Sequence, residues 1–305
     1  MKKFCNTNKS KKIILLRAKG QHSNRLIQNL HFEAFCAEYG IEYHNPTFAE
    51  GKYYLFPCSK ETNFFINILR INFLGPLFKH SSIVKKIFSV AWLISKLGIV
   101  KYVEFDKYKR KKGKNCQKIL LKALERSNTV FVSGWNFRVP ELTEKHHEKI
   151  AARYSLKPEF YEKNTFYKKI VELKKEENIL IGVHIRGGDY KKWLKGKYYF
   201  EDDVYEAYMN DISQKISTQT DKNQIFIIFS NDKVKFTESE NLLISKESWY
   251  LDHHIMSLCD YIIGTRSTFP LWASYIGRNK FFCILDNSGK IENTISDLRL
   301  LFINV

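Results

Sequence analysis

The sequence predicts an α/β protein of two domains. Four short, almost wholly apolar runs, at 179–185, 225–229, 261–264 and 281–285, alternate with helical patterns in the second half. Uninterrupted apolar runs of this length are typical of strands buried on both faces of a parallel sheet. A strand, a glycine turn and a helix also open the first half. The length of 305 residues is about twice that of an average domain.

The composition indicates a packed and strongly basic protein. Apolar residues make up 44% of the chain and aromatic residues 15%, which excludes a largely disordered protein. Lys and Arg outnumber Asp and Glu by 50 to 32, a net charge of +18. This excess favours an anionic partner such as a nucleotide, a nucleic acid or an anionic lipid surface. Scattered cysteines and a start without an apolar segment before Ile13 predict a cytoplasmic protein without a signal peptide.

The first half begins with a predicted strand at Lys12–Arg17 and a helical pattern that ends at Tyr39-Gly40. Ser23 or Asn24 is expected to cap this helix, and Gly40 to end it. A strand, a turn and a helix N-terminus form a geometry that binds anions. The alternative is that the turn at Gly20 is only structural. Neither a dinucleotide-binding nor a P-loop motif is present.

The middle of the chain is less informative. A second strand and a loop are expected over Ile41–Pro57. The uncharged run Ile87–Ser95 is shorter than the ~20 residues that cross a bilayer. It fits either a basic amphipathic helix on an anionic membrane or a core helix with solvated lysines. The basic run Lys107–Lys114 is a solvated loop or a contact with phospholipid, and is weak evidence for nucleic acid.

Three more elements lead to the predicted domain boundary. They are a strand at Thr129–Trp135, a polar helix at Pro140–Tyr154 with His146 and His147 exposed, and a mixed-charge helix over Glu159–Asn178. The boundary is placed near the start of the last helix. The predicted domains are therefore 1–160 and 161–305.

The second half opens with the most informative segment of the chain. Its apolar strand continues into His184, Arg186, Gly187-Gly188 and Asp189. Ligands of open α/β sheets bind at the carboxyl ends of strands, and a guanidinium there suits a phosphate or diphosphate. The alternative is a salt bridge at the strand end beside a solvated histidine.

Two further strands also end in polar residues. Ser230-Asn231-Asp232 follows one strand, and Asp232 could accept two N–H donors from guanine, or form an Asx turn or a helix cap instead. Ser267 and Thr268 follow another strand and open a helix whose free N–H groups would bind phosphate. Three such coincidences at one sheet edge predict a nucleotide site.

One acidic triplet, Glu201-Asp202-Asp203, allows two interpretations, of which one is a metal-binding D-x-D pattern. Glu201-Asp202-Asp203 opens a predicted helix that runs to about Ile216, where carboxylates interact favourably with the positive helix end. We therefore expect no metal site.

The motifs as a set carry a resemblance. They are His184-Ile185-Arg186-Gly187-Gly188-Asp189-Tyr190, Phe229-Ser230-Asn231-Asp232, Ser257-Leu258-Cys259-Asp260 and Ser267-Thr268-Phe269 with Trp272-Ala273. In order and spacing they resemble the motifs of α-1,2-fucosyltransferases, within the wider GDP-fucose-dependent superfamily. The opening at 20–25 is similar to that family's G-x-x-x-N-Q/R. The resemblance covers 13–40 weakly and 179–276 well, and leaves 40–160 unrecognised.

The resemblance implies a GT-B fold, in which two Rossmann-like domains face each other across a cleft. It implies an inverting, metal-independent transfer of L-fucose from GDP-fucose to a glycan hydroxyl, with the acceptor on the N-terminal domain and the donor on the C-terminal one. Carried over by position, the donor-binding residues are Asn24, Arg25, His184, Arg186, Ser230, Asp232, Ser267, Thr268 and Phe269. Arg186 would bind the diphosphate and Asp232 would face guanine. Asp189 is the expected base, or else an ion-pair partner of Arg186.

Departures from the family pattern bear on linkage and sugar more than on fold. Gly187 replaces a second arginine, the opening lacks a second glycine, and Leu271-Trp272-Ala273-Ser274 replaces Trp-Trp-Gly-Ala. The expected function is α-1,2-fucosylation of a surface polysaccharide or its lipid-linked precursor, peripheral to the inner membrane face and without nucleic acid. The alternatives are a transferase for another GDP-hexose, or a basic nucleic-acid- or membrane-binding α/β protein.

Overall fold

The chain folds into two α/β units, each built on a parallel β-sheet. A computed structural model describes residues 10–17, 20–45, 101–107 and 113–304. The two compact units are Met1–Ser155 and Leu156–Val305. All strand pairs that belong to the two sheets are parallel. The predicted α/β class is therefore confirmed.

The N-terminal unit has a four-stranded sheet in the order β2-β1-β4-β3. In chain order its described elements are β1 Lys12–Arg17, α1 His22–Tyr39, β2 Glu42–His44, β3 Lys101–Glu104, α2 Gly113–Arg126, β4 Thr129–Ser133, α3 Pro140–Lys145 and α4 His147–Arg153. The core includes an aromatic cluster, in which Phe32 and Phe137 stack at 4.5 Å and Phe105 lies 4.8 Å from Phe137. The strands predicted at Lys12–Arg17 and near Thr129 are confirmed.

Helix α1 begins at His22, before both of the predicted caps. Gln21 is its N-cap and makes no side-chain cap hydrogen bond, so the expected cap at Ser23 or Asn24 was wrong. The Asn24 side chain instead fills the space beside Gly20, where a Cβ would come within 2.0 Å of Asn24 Nδ2. Gly40 ends the helix as predicted, with φ 67° and its N–H donating to the Cys36 carbonyl.

The predicted polar helix over Pro140–Tyr154 is two helices that meet at His146. The expected exposure of both histidines was wrong, because these helices pack against α1. His147 is buried. His146 Nε2 lies 2.9 Å from Glu38 Oε2, to which Lys145 Nζ also pairs at 2.7 Å.

Several predictions concern residues outside the described part of the chain. These are the second strand beyond residue 45, the segment 64–100 with its uncharged run 87–95, and residues 108–112 of the basic run.

The C-terminal unit has a five-stranded sheet in the order β7-β6-β5-β8-β9. Its elements are α5 Thr165–Lys175, β5 Ile179–Ile185, α6 Asp202–Ser217, β6 Gln224–Ser230, β7 Leu242–Ile244, α7 Trp249–Leu258, β8 Tyr261–Thr265, α8 Thr268–Gly277, β9 Lys280–Ile284 and α9 Leu298–Asn304. The four predicted strands are confirmed, and the three-residue edge strand β7 was missed. Strand β5 lies between β6 and β8, so the carboxyl ends of these three strands meet at one sheet edge.

Candidate functional site

The turn after β5 requires glycine because β6 comes so close. A Cβ on Gly187 would lie 2.8 Å from both Cβ and Oδ2 of Asp232, closer than real Cβ contacts allow. Gly188 follows with φ +55°, a conformation that glycine adopts without steric cost. The glycine at 187, where the family pattern has arginine, therefore lets the turn pack directly on the end of β6.

Side chains at the end of β6 hold this turn. Gly187 N–H donates to Asn231 Oδ1 and Gly188 N–H donates to Asp232 Oδ2, both at 3.3 Å. Asp232 Oδ1 accepts from Lys233 N–H at 3.0 Å, and Ser230 Oγ accepts from Asp232 N–H at 3.1 Å. Both carboxylate oxygens of Asp232, the predicted guanine partner, therefore accept backbone N–H groups. Neither bond is the Asx turn of the alternative interpretation, which would use the N–H two residues further along the chain.

Arg186 is the cation at the centre of this edge. Its Nη2 lies 2.9 Å from Asp189 Oδ1, and its Cζ lies 5.2 Å from the centre of the Tyr190 ring. The Arg186 side chain is 18% exposed and that of Asp189 is 63% exposed. Arg186 Nε is buried and has no hydrogen-bond partner among the described residues. One edge of the guanidinium is therefore paired, and its buried Nε–H is not.

His184 is buried and uncharged. Its ring stacks on Phe269 at 5.0 Å, and Phe269 stacks on His253 at 3.8 Å. Burial, followed by the nearby charge of Arg186, lowers the pKa of His184 to about 3. Its Nδ1 is buried without a hydrogen-bond partner in the described structure. The solvated histidine of the alternative interpretation is therefore wrong.

The end of β8 supplies the N-terminus of helix α8. Ser267 caps this helix by accepting the N–H of Phe269 at 3.3 Å. Ser267 is buried, and Thr268 begins the helix with partial exposure. Tyr190 joins this segment to the Arg186 turn, because its hydroxyl donates to the Arg266 carbonyl at 2.8 Å.

The predicted residues of the C-terminal unit therefore lie along one sheet edge, whereas Asn24 and Arg25 belong to the N-terminal unit. His184 touches Phe269, and Gly188, two residues after Arg186, is bonded to Asp232. In the other unit, Arg25 Nε donates to the Gly20 carbonyl at 3.2 Å. Arg25 thus braces the Gly20 turn, beside which Asn24 also packs.

Sequence reasoning assigned no role to four residues of this edge: Tyr190, Tyr198, His253 and Arg266. Arg266 Nη1 donates to the Tyr198 hydroxyl at 2.6 Å, and Arg266 Cζ lies 5.1 Å from the Tyr198 ring centre. The available signal was a second arginine placed directly after a buried strand, as Arg186 is.

The loop that follows the turn has an unusual backbone. Leu194 and Lys195 have φ values of 48° and 59°. Each non-glycine residue in this left-handed region costs about 1–3 kcal/mol and persists only where surrounding contacts impose it.

The described residues contain no group of three or more His, Cys, Asp or Glu side chains that could hold a metal ion. Asp202 and Asp203 lie in the first turn of α6, and Asp202 Oδ2 accepts from Lys235 N–H at 2.5 Å. None of the helices in the described ranges is long and apolar enough to cross a membrane.

Comparison with known proteins gives one family match. The model of glycosyl transferase family 11 matches residues 104–290. The match takes in 104–160, in which the sequence showed no resemblance, and omits the opening with Asn24 and Arg25. No curated protein matches the chain.

Solved structures of similar fold are fucosyltransferases. An Arabidopsis thaliana FUT1 mutant in complex with GDP is 10% identical, with a TM-score of 0.49, over 93% of this chain and 72% of that one. Fucosyltransferase NodZ from Bradyrhizobium is 12% identical, with a TM-score of 0.48, over 90% and 95%. NodZ α-1,6-fucosyltransferase co-crystallised with GDP is 13% identical, with a TM-score of 0.49, over 92% and 97%. Likeness at this level establishes no property of the chain by itself.

Proposed function

The chain belongs to glycosyl transferase family 11, a fucosyltransferase family, and on this premise we propose that it transfers L-fucose from GDP-fucose to a glycan hydroxyl with inversion. The proposed linkage is α-1,2. In this proposal the C-terminal unit binds the donor and the N-terminal unit faces the acceptor, as in a GT-B enzyme with a cleft between its domains.

The observation that carries the proposal is the state of Arg186. Its guanidinium lies at the carboxyl end of the central strand, is mostly buried, and keeps a buried N–H without a partner among the described residues. A buried unpaired donor is costly. A diphosphate would satisfy it with charge-assisted hydrogen bonds.

The same contacts suit the chemistry of a departing nucleotide. The bond between the anomeric carbon and the diphosphate oxygen breaks, and its electron pair leaves with GDP. Negative charge therefore grows on the diphosphate in the transition state. A fixed guanidinium, together with the free N–H groups at the start of α8, stabilises that charge. These groups supply the stabilisation that the proposed metal-independent transfer requires.

Asp189 is the proposed base. It pairs with Arg186 in the structure, and a carboxylate held by a guanidinium is a weak base. A diphosphate bound to Arg186 competes with this pair and releases the carboxylate, which is largely exposed. The freed carboxylate would accept the proton of the acceptor hydroxyl while the hydroxyl oxygen forms the new bond. Donor binding and base activation are thereby coupled.

The remaining predicted residues have supporting roles in the proposal. His184 and Phe269 form a stacked, apolar wall beside Arg186, and Ser267 and Thr268 open the helix that meets the phosphates. Asp232 holds the glycine turn and Ser230 accepts the Asp232 N–H, so both lie where the nucleobase is proposed to bind. Asn24 and Arg25 would reach the donor from the N-terminal unit.

The proposed acceptor is an oligosaccharide or lipid-linked glycan at the inner membrane face. Support comes from a basic hollow of about 280 Å³ between β3 and α2. Lys107 pairs with Glu104 there at 3.6 Å, whereas Lys101, Lys122 and Arg126 have no acidic partner within the described structure. The protein should float with phosphatidylglycerol vesicles in a density gradient and should not float with phosphatidylcholine vesicles. Equal behaviour with both would contradict a membrane role.

A thermal-shift panel tests the donor. GDP should raise the melting temperature of the wild type, and UDP and ADP should not. Arg186→Ala should abolish the GDP effect while the protein stays folded. Turnover with GDP-mannose but none with GDP-fucose would replace fucose by another hexose. Salt-dependent RNA, DNA or vesicle binding that survives Arg186→Ala, without any GDP effect, would favour the basic binding protein instead.

A further inference from the structure

The loop between β5 and α6 exposes apolar side chains beside the proposed donor site. We call residues 189–200 the aromatic loop, because it carries Tyr190, Trp193, Tyr198, Tyr199 and Phe200. Trp193 is 42% exposed and Leu194 is 55% exposed. In the described part of the chain only Leu300, in α9, is another large apolar side chain exposed to this degree. Adjacent exposed apolar residues mark a binding surface more often than isolated ones do.

The backbone at the tip of the aromatic loop is left-handed over three residues. Leu194, Lys195 and Gly196 have φ values of 48°, 59° and 76°. Only the last is a residue that adopts this conformation freely. Strain of this kind is concentrated at ligand-binding and catalytic segments.

Both flanks of the aromatic loop are fastened to the end of β8. The Tyr190 hydroxyl donates to the Arg266 carbonyl at 2.8 Å. On the other flank, the Tyr198 carbonyl accepts from Thr265 Oγ1 at 2.8 Å, and the Tyr198 hydroxyl accepts from Arg266 Nη1. The indole of Trp193 lies between these anchors, 4.9 Å from the Tyr190 ring and 5.7 Å from the Tyr198 ring. The exposed indole is therefore held in place by its neighbours.

The Trp193 ring is one contact removed from the cation of the site. Tyr190 touches it on one side and lies under the Arg186 guanidinium at 5.2 Å on the other. The sugar to be transferred is covalently bonded to the diphosphate that Arg186 is proposed to bind. A second sugar must therefore approach within a few ångströms of this group to deliver its hydroxyl.

We infer that Trp193 and Leu194 form the acceptor platform, on which a pyranose ring of the glycan stacks through its apolar C–H face. This inference rests on the proposed function, and it adds a contact from the C-terminal unit to the acceptor, which the N-terminal unit is proposed to face. A pyranose has one face rich in C–H groups and hydroxyls around its rim, so a flat ring with a polar edge suits it. The Trp193 indole has both properties. The role of Trp193 is binding and orientation rather than chemistry.

Steady-state kinetics on four variants test the platform. Transfer from GDP-fucose is measured to free oligosaccharides that end in β-galactose, β-glucose or β-N-acetylglucosamine. Trp193→Ala should raise the acceptor KM about tenfold, the effect expected from losing one ring stack, while donor KM and the GDP-induced rise in melting temperature stay unchanged. Trp193→Phe should recover most of the acceptor affinity. Leu194→Gly, which fits the left-handed backbone, should raise the acceptor KM only about two- to threefold, because a single apolar contact is lost.

Leu300→Ala is the matched control, because it removes an equally exposed apolar side chain from α9. It should leave the acceptor KM unchanged. An unaltered acceptor KM in Trp193→Ala, or an equal change in Leu300→Ala, would overturn the platform. The platform would also be overturned if GDP stabilises the wild type but the wild type transfers fucose to none of these sugars. In that case GDP binding by the C-terminal unit would remain supported. A wild type that GDP does not stabilise would instead refute the proposed function itself, and the platform with it.

Discussion

Paired polar atoms in the core of the N-terminal unit contrast with unpaired polar atoms at one sheet edge of the C-terminal unit. In the N-terminal unit Glu33 accepts from Tyr154 at 2.7 Å and pairs with Arg153 at 3.3 Å, and His31 Nδ1 accepts from Val139 N–H at 3.1 Å. At the sheet edge of the C-terminal unit, Arg186 Nε, His184 Nδ1 and Arg266 Nε are buried without partners among the described residues.

This difference separates polar groups that hold a fold together from polar groups available to a ligand. A buried donor without a partner costs about 1–3 kcal/mol, so it is retained only where something compensates. All three unpaired donors or acceptors named above follow or end strands of one sheet, at the edge where ligands of such sheets bind. The comparison therefore assigns stability to one cluster and binding to the other.

The largest effect should come from the same substitution made in each unit. Arg186→Ala should lower kcat about 10³-fold, because the leaving diphosphate loses a fixed positive charge, and should leave the melting temperature nearly unchanged. Arg153→Ala should leave kcat unchanged and lower the free energy of unfolding by about 1–3 kcal/mol, because the buried Glu33 carboxylate loses its cation. Kinetics and thermal denaturation of both variants check this. The comparison is contradicted if both variants change kcat and the free energy of unfolding by similar amounts.

The next largest effect concerns the proposed base. Asp189→Asn should lower kcat at least about 10²-fold, as loss of a general base does. GDP should bind this variant no more weakly than the wild type, since the diphosphate no longer competes with a carboxylate for Arg186. Single-turnover rates and GDP titration measure the two quantities. A variant of full activity would leave Asp189 as an ion-pair partner alone.

A smaller effect is expected from the glycine turn. Gly187→Ala places a Cβ 2.8 Å from Asp232, so the turn and the end of β6 must move apart and kcat should fall about tenfold. Gly188→Ala meets only Asn231 Nδ2, at 3.3 Å. Its cost is the left-handed backbone, about 1 kcal/mol of stability. Similar kinetics for both variants would show that the close approach of Asp232 is unimportant.

Taken per pH unit, the smallest effects are in the pH dependence of stability. Folding lowers the pKa of His184 from 6.5 to about 3, so between these values the unfolded chain binds more protons and stability falls as pH falls. Burial raises the pKa of Asp252 from 3.8 to about 7, so over that interval the folded chain binds more protons and stability falls as pH rises. Each contributes at most about 1.4 kcal/mol per pH unit.

Two variants separate these opposite slopes. His184→Phe should flatten the loss of stability between pH 6.5 and 3, and Asp252→Asn should flatten the loss between about pH 4 and 7. Denaturant titrations across this range measure both. Profiles identical to the wild type would show that neither buried group titrates as assigned.

The sequence predicted the strands of the C-terminal sheet because parallel strands are apolar throughout, and it predicted which residues end them. It did not predict that Asp232 holds the glycine turn, since that hydrogen bond joins residues 44 positions apart in the chain. The burial of His147 was missed for a related reason. Its neighbours in sequence are polar, so no apolar face indicated that α1 would cover it. Strand β7 was missed because three residues are too few to show a strand pattern.

We propose that the unpaired edge of Arg186 binds the diphosphate of a guanine nucleotide. Calorimetric titration of GDP into the wild type, Arg186→Ala and Arg153→Ala tests it most directly. Binding that weakens about 100-fold in Arg186→Ala, the size expected for loss of a charge-assisted contact, and is unchanged in Arg153→Ala is the predicted result. Equal affinity in the wild type and Arg186→Ala would contradict it.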